Sequence, residues 1–67
     1  MTRVWTDATE TVEEHHLTDG GVLVGVVERC CCIWVPRVVK PENGYREQVG
    51  ESCDLDDAKA MVERSLA

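Results

Sequence analysis

Long apolar runs are missing from this chain. No segment approaches the roughly 18 apolar residues that a membrane-spanning helix needs, and the opening MTRVWTDATE lacks the apolar core of a secretory signal. We therefore expect a cytoplasmic protein that makes no membrane contact. Thiols stay reduced in that compartment, so the cysteines are not expected to form disulfides.

Basic residues are scarce. Thirteen Asp and Glu residues face seven Lys and Arg residues, and the formal net charge is -6. An acidic surface repels nucleic acids and anionic membranes, so a partner selected by charge would be a basic protein. The alternative is that acidity only keeps a small protein soluble. We interpret the basic residues of the central and C-terminal strands as partners for nearby glutamates; they are Arg29, Arg37, Lys40 and Arg46.

Catalytic motifs are also absent from the sequence. Gly20 and Gly21 lack the spacing and the following lysine of a phosphate-binding loop, and Cys53 has no neighbouring histidine in sequence to activate its thiol. A chain of 67 residues forms one domain, whose core supplies about 3–5 kcal/mol. We expect residues 1–67 to form a single binding domain without a cofactor, and not an enzyme.

The four cysteines do not follow a metal-binding pattern. Cys30, Cys31 and Cys32 are adjacent, no CxxC pair occurs, and neighbouring residues of a strand point to opposite faces. We interpret the cysteines, including Cys53, as reduced and buried apolar side chains, with no metal bound. A structural zinc formed by Cys30, Cys32 and one histidine is the alternative, since these residue types are zinc ligands.

Strand-forming residues dominate the middle of the chain. Residues 22–28 are β-branched and almost continuously apolar, which predicts a buried strand, and Gly25 predicts a bulge or a close neighbour there. The polar break at residues 28–29 predicts a hairpin into a third strand over residues 31–40. Pro36 interrupts that strand, so either the strand bulges or the proline nitrogen faces away from its neighbour.

Two turn signals frame these strands. Asp-Gly-Gly at residues 19–21 and Pro-Glu-Asn-Gly at residues 41–44 both predict tight turns. A fourth strand is expected over residues 45–53. Before the first turn lies a polar lead-in, residues 1–19, in which β-branched residues favour a strand over residues 9–17. A helix is the alternative there, because Asp followed by Glu three residues later resembles a capping box.

A helix closes the chain. Asp54 can cap it and Asp57 can reinforce the cap, and an apolar stripe at helical spacing runs from Leu55 to Leu66. That stripe predicts packing across the sheet. The predicted fold is a small two-layer α+β domain, in which an antiparallel sheet of three to four strands carries a C-terminal α-helix on one face.

Acidic residues are concentrated in two parts of the chain. Carboxylates at alternate strand positions lie about 6.5–7 Å apart, which is of the order of the spacing between successive nucleic-acid phosphates. We interpret both groups as candidate partner-binding residues that could occupy a basic groove, with a plain solvated surface as the alternative. The first group is Glu47, Glu51, Asp54, Asp56 and Asp57, and the second is Glu10, Glu13 and Glu14.

The C-terminal part of the chain resembles a pattern found in small proteins of phages and mobile elements. Its residues are Trp34, the turn Asn43-Gly44, Gly50 and the helix opening LDDAKA at residues 55–60. In size and charge the chain is similar to anti-CRISPR inhibitors. That resemblance implies an inhibitor in the host cytoplasm that presents carboxylates to the DNA-binding surface of a CRISPR effector, without contacting nucleic acid itself.

The hypothesis from the sequence is thus a non-enzymatic inhibitor that binds a basic host protein, with a CRISPR effector subunit as the most concrete target. One alternative is a small structural or regulatory interaction module without nucleic-acid mimicry. The other is a metal-binding protein that uses the cysteines and histidines.

Overall fold

The computed structural model describes residues 3–7 and 14–66. Within them, five antiparallel strands form one sheet in chain order, and a helix follows. This architecture confirms the predicted α+β domain. The elements are β1 Arg3–Asp7, β2 Glu14–Asp19, β3 Val22–Cys30, β4 Ile33–Val39, β5 Arg46–Gln48 and α1 Leu55–Leu66.

The sheet has more strands than predicted because part of the polar lead-in is a strand. β1 pairs with β2 in an uninterrupted register of five residue pairs. Trp5 packs against the core, whereas Val4 is 46% exposed. A five-residue strand with one apolar side chain on each face has no distinctive pattern, so its pairing with β2 could not be foreseen.

β2 and β3 form the hairpin that the Asp-Gly-Gly turn predicts. Asp19 pairs with Val22, and Gly20 and Gly21 have φ angles of 60° and 86°, as a two-residue type I′ turn requires. The strand predicted over residues 9–17 is confirmed from the start of β2 onward. The earlier part of that prediction lies outside the described residues.

The turn between β3 and β4 lies beyond its predicted position. Cys30 pairs with Ile33, so the two-residue loop is Cys31-Cys32 and not residues 28–29. The prediction is wrong because polar residues remain stable in a strand when they have partners on the neighbouring strand. Both residues of the polar break have such partners in β4, one through an ion pair and one through a ring contact.

All four cysteines are exposed, which contradicts their predicted burial. Cys31 and Cys32 form the tip of the β3–β4 hairpin, and Cys53 precedes α1. Cys30 is the last residue of β3, next to that tip, so all four cysteines lie at the end of an element or in a connecting segment. The four thiols are free.

Pro36 lies within β4 and is almost completely buried. Its carbonyl accepts a hydrogen bond at 3.0 Å from the Val49 N–H, on the β5 side. The N and C=O of one strand residue face the same neighbouring strand. The proline nitrogen therefore faces away from β3, whose hydrogen bonds to β4 would need an N–H donor. The ladder is interrupted at this point, since β5 ends at Gln48 and the chain next pairs with β4 at Ser52. The predicted fourth strand over residues 45–53 is therefore shorter than expected.

α1 packs on the sheet face that carries Leu17 and Val27. Ala58 and Val62 are fully buried in this core, which confirms the predicted apolar stripe. The contact is close, because a Cβ atom added to Gly25 would collide with Val62 Cγ1. The close neighbour that Gly25 predicts is thus the helix itself.

The opposite sheet face, which we call the back face, has no helix over it among the described residues. Val26, Val35 and Val39 are nevertheless only 0%, 8% and 8% exposed. Strand alternation places Glu28 and Arg37 on the same face. Long charged side chains cover apolar surface with their aliphatic parts, so we infer that these two help to shield the valines.

Candidate partner-binding surface

The first predicted acidic group extends from β5 to the first turn of α1. After β5, two backbone hydrogen bonds hold Ser52 to β4: Trp34 N–H donates to the Ser52 carbonyl at 2.6 Å, and Ser52 N–H donates to the Trp34 carbonyl at 3.0 Å. α1 begins soon afterwards, at Leu55. This path gathers exposed carboxylates in one short segment. We call them the acidic corner, and they are Glu51, Asp54, Asp56 and Asp57.

Asp54 caps α1, as predicted. Its Oδ1 accepts a hydrogen bond from the Asp56 N–H at 3.3 Å, and its carbonyl accepts one from the Ala58 N–H at 3.0 Å. The Asp54 N–H donates to Ser52 Oγ at 3.0 Å, so serine fills the reinforcing role predicted for Asp57. The cap fixes the acidic corner to the start of a packed helix.

The carboxylates of the acidic corner have no ion-pair partner in the described part of the chain. Glu47 belongs to the same predicted group but differs, because Lys40 Nζ lies 3.3 Å from its Oε1. The positive end of the helix dipole is equivalent to about half an elementary charge, which offsets only a fraction of four carboxylates.

Glu14, the one described member of the second predicted acidic group, is not brought to this surface. Glu14 lies on the back face, where His16 Nε2 is 2.8 Å from Glu14 Oε1. The hydrogen bond with His16 lowers the pKa of Glu14, and desolvation opposes this shift. Glu10 and Glu13 lie outside the described residues. The described members of the two predicted groups therefore lie on different parts of the molecule.

The other charges of the back face are paired. Glu28 Oε1 lies 2.7 Å from Arg37 Nε, and Glu28 Oε2 lies 3.9 Å from Arg46 Nη1. The Arg37 contact lacks hydrogen-bond geometry and acts through charge attraction. The prediction that these arginines partner nearby glutamates is confirmed. We call this set the back-face network, and it consists of Glu14, His16, Glu28, Arg37 and Arg46.

The two tryptophans make polar contacts that the sequence did not indicate. The Arg29 guanidinium lies over Trp34, 5.7 Å from the ring centroid, and His15 meets the same indole edge-on at 5.5 Å. Trp5 Nε1 donates a hydrogen bond to Glu63 Oε2 at 3.3 Å. Most of these contacts join residues that are far apart in the chain, so no local pattern reveals them.

Tyr45 is the most exposed of the large hydrophobic side chains among the described residues, at 61%. Its backbone is well held, since its N–H donates to Asn43 Oδ1 at 3.0 Å and its carbonyl accepts from the Lys40 N–H at 2.8 Å. A rigidly held, exposed aromatic residue is typical of the anchors of protein interfaces. The sequence indicates this exposure, because Tyr45 shares its predicted strand face with Glu47 and Glu51 and such a face is at best partly covered.

Small-molecule and metal sites find little support in the part of the chain that the structure describes. It contains no detectable pocket and no group of three metal-ligating side chains. None of its helices is long and apolar enough to cross a membrane.

No family model matches the chain, and no curated protein or solved structure matches it either.

Proposed function

We propose that the chain is a small non-enzymatic inhibitor that binds a basic, nucleic-acid-binding host protein and covers its nucleic-acid site. The observation that supports this proposal is the acidic corner. Its four carboxylates are exposed within residues 51–57, and none is paired with a cation in the described part of the chain. The resemblance to anti-CRISPR inhibitors makes a CRISPR effector subunit the most concrete target.

The arrangement of the carboxylates favours action as a group. Three of them, at residues 54, 56 and 57, lie within the first turn of α1 or directly before it. One helical turn rises about 5.4 Å, which is less than the Debye length of about 8 Å at physiological salt. Their fields therefore add at an approaching basic surface and accelerate its encounter with the corner.

The fold also holds the corner in place before any partner arrives. Asp54 is fixed by its capping bond to the Asp56 N–H, and Ser52 is fixed by the paired bonds to Trp34. A preorganised surface loses less conformational entropy on binding than a mobile one. A rigid acidic corner is consistent with a protein that competes with nucleic acid for a preformed groove.

A capture experiment with matched variants tests the proposal. Tagged protein is incubated with a lysate of the host, and captured proteins are identified by mass spectrometry, with and without added duplex DNA. We expect a basic nucleic-acid-binding protein that saturating DNA displaces. The corner variant Glu51→Gln/Asp56→Asn should capture less of it, whereas the network variant Glu14→Gln/Glu28→Gln, which also removes two acidic groups, should capture as much as wild type when folded. Capture that resists both DNA and the corner variant would contradict the proposal.

An interaction module without mimicry is the second candidate, and the exposed Tyr45 favours it. In that case the binding energy would come from an aromatic anchor that enters a pocket of the partner. Tyr45→Ala would then abolish capture, and neither DNA nor the corner variant would affect it. The same experiment thus separates the two functions.

A further inference from the structure

β1 is a regular edge of the sheet, and it is open among the residues that the structure describes. The strand order places β1 and β5 at the two edges, and no described residue pairs with the outer side of β1. β5 has only three residues, whereas β1 pairs along its full length without the register shift that interrupts β2–β3. A straight edge without bulges, prolines or lysines is a template for pairing with another strand.

The direction of the β1 backbone groups follows from the alternation of an antiparallel ladder. Residues of one strand bond to its two neighbours in turn. Trp34 exchanges both hydrogen bonds with Ser52 on the β5 side of β4, so residues an odd number of positions away face β3. Arg37 is one of these, and it bonds with its partner Val26 in β3.

The same alternation continues across the sheet to β1. Because Val26 faces β4, Val27 faces β2 and bonds with its partner His15. His16 therefore faces β1 and bonds with Thr6. Every second residue of β1 then presents its N–H and C=O to the outside. The outward-facing residues are Arg3, Trp5 and Asp7.

We propose that this edge forms an antiparallel pair with β1 of a second copy of the chain. Trp5 of one copy then lies opposite Trp5 of the other. The strand reads Arg-Val-Trp-Thr-Asp, with a basic residue first and an acidic residue last. Antiparallel pairing centred on Trp5 sets Arg3 opposite Asp7 of the second copy, and opposite charges across a ladder are favourable. All outward-facing residues then form bonded pairs, which gives about six hydrogen bonds.

This pairing closes after two copies. A two-fold axis through the Trp5 pair consumes both β1 edges, and the edges that remain are the short β5 strands, whose residues are all exposed. Each copy carries a net charge of -6, so the two repel each other at long range. Added salt screens that repulsion, and the dimer should become tighter as ionic strength rises.

Amide hydrogen exchange measured by NMR at low and high protein concentration tests the pairing residue by residue. The outward amides of Arg3, Trp5 and Asp7 should exchange quickly in dilute solution and slowly in concentrated solution. The amides of Val4 and Thr6 already bond to β2 and should be protected at both concentrations. Exchange at β1 that does not depend on concentration would overturn the proposal.

Sedimentation equilibrium with charge variants tests the register. Arg3→Glu should weaken the dimer by about tenfold or more, because it places like charges opposite each other at two symmetric positions. The double variant Arg3→Glu/Asp7→Lys should restore dimerisation. Asp19→Asn is the matched control, since it removes the Arg3–Asp19 ion pair at 3.5 Å without touching the edge, and it should dimerise like wild type.

Circular dichroism melts check that each variant is folded. A wild-type protein that stays monomeric up to millimolar concentration in high salt would overturn the proposal. A dimer that is unaffected by Arg3→Glu, or that the charge exchange does not restore, would overturn it as well, because another surface would then form the contact.

Discussion

The acidic corner and the back-face network use the same kinds of residues in opposite ways. In the network, Glu28 contacts two arginines and Glu14 contacts a histidine, on the face that carries buried valines. In the corner, carboxylates crowd together without a paired cation in the described part of the chain. Paired charges contribute to the fold, whereas crowded like charges repel each other in the free protein. The difference indicates that the corner's charge is available to a partner.

The largest expected effect on stability comes from disrupting the core that supports both regions. Val62 is fully buried between α1 and the sheet, and Val62→Asp places an uncompensated charge there, at a cost of about 3–5 kcal/mol. That equals the whole stability expected of a domain of this size, about 3–5 kcal/mol, so the variant should be largely unfolded. Thermal melts followed by circular dichroism measure the effect.

Ser65→Asp is the matched control, because it adds the same charge to an exposed position of the same helix. It should melt within a few degrees of wild type. Equal melting of the two variants would mean that the face of α1 assigned to the core is wrong.

The features of the two regions that the sequence predicts are those that depend on local signals. The acidic corner lies within residues 51–57 and includes the capping Asp54, so the sequence alone is enough to group its residues. The helix stripe and the hairpin glycines Gly20 and Gly21 are local in the same way. The helix stripe and the hairpin are confirmed because few distant contacts compete with them.

Features that depend on distant partners are not predicted by the sequence. Glu14 groups with Glu10 and Glu13 along the chain, but its position depends on the pairing of β2, which places it beside His16 on the back face. The predicted β3–β4 turn is misplaced because Glu28 reads as a break until its partner Arg37 in β4 is known. The exposure of the cysteines at the hairpin tip follows from that shifted turn.

Disruption of the back-face network should have the second-largest effect. Glu28→Gln removes the carboxylate that faces Arg37 and Arg46. The side chains of Glu28 and Arg37 are 35% and 33% exposed, so solvent compensates part of the loss. We expect a destabilisation of about 1–2 kcal/mol, measured by urea denaturation. A variant as stable as wild type would show that these ion pairs do not support the fold.

The pH dependence of stability should identify Glu14 as a member of the network. Its pKa is lowered in the folded protein, chiefly by the hydrogen bond with His16. A lowered folded-state pKa contributes stability that is complete above the unfolded pKa and is lost as pH falls through the folded value. Stability should therefore decline below the ordinary value of 4.5.

In denaturation measurements at several pH values, Glu14→Gln should make the loss of stability at acidic pH less steep. Glu51→Gln, in the acidic corner, should leave the contribution of Glu14 in place. If Glu14→Gln loses stability at acidic pH as steeply as wild type does, Glu14 does not belong to the network.

The smallest effect on stability is expected at the acidic corner. Glu51→Gln/Asp56→Asn relieves repulsion between carboxylates but also removes a favourable interaction of Asp56 with the helix dipole. These contributions oppose each other, and exposed substitutions usually change stability by less than about 0.5 kcal/mol. Urea denaturation should place the midpoint of the double variant close to that of wild type. A loss as large as that of Glu28→Gln would assign the corner a structural role.

The most direct test of the account measures the rate of association with the captured partner at several salt concentrations. Three proteins are compared: wild type, Glu51→Gln/Asp56→Asn and Glu14→Gln/Glu28→Gln. Both variants lose two acidic groups, so total charge alone would slow them equally. We predict that the corner variant associates more slowly, with a weaker dependence on salt, while the network variant loses stability but associates at the wild-type rate when folded. Equal rates for the two variants would contradict the claim that the acidic corner is the binding surface.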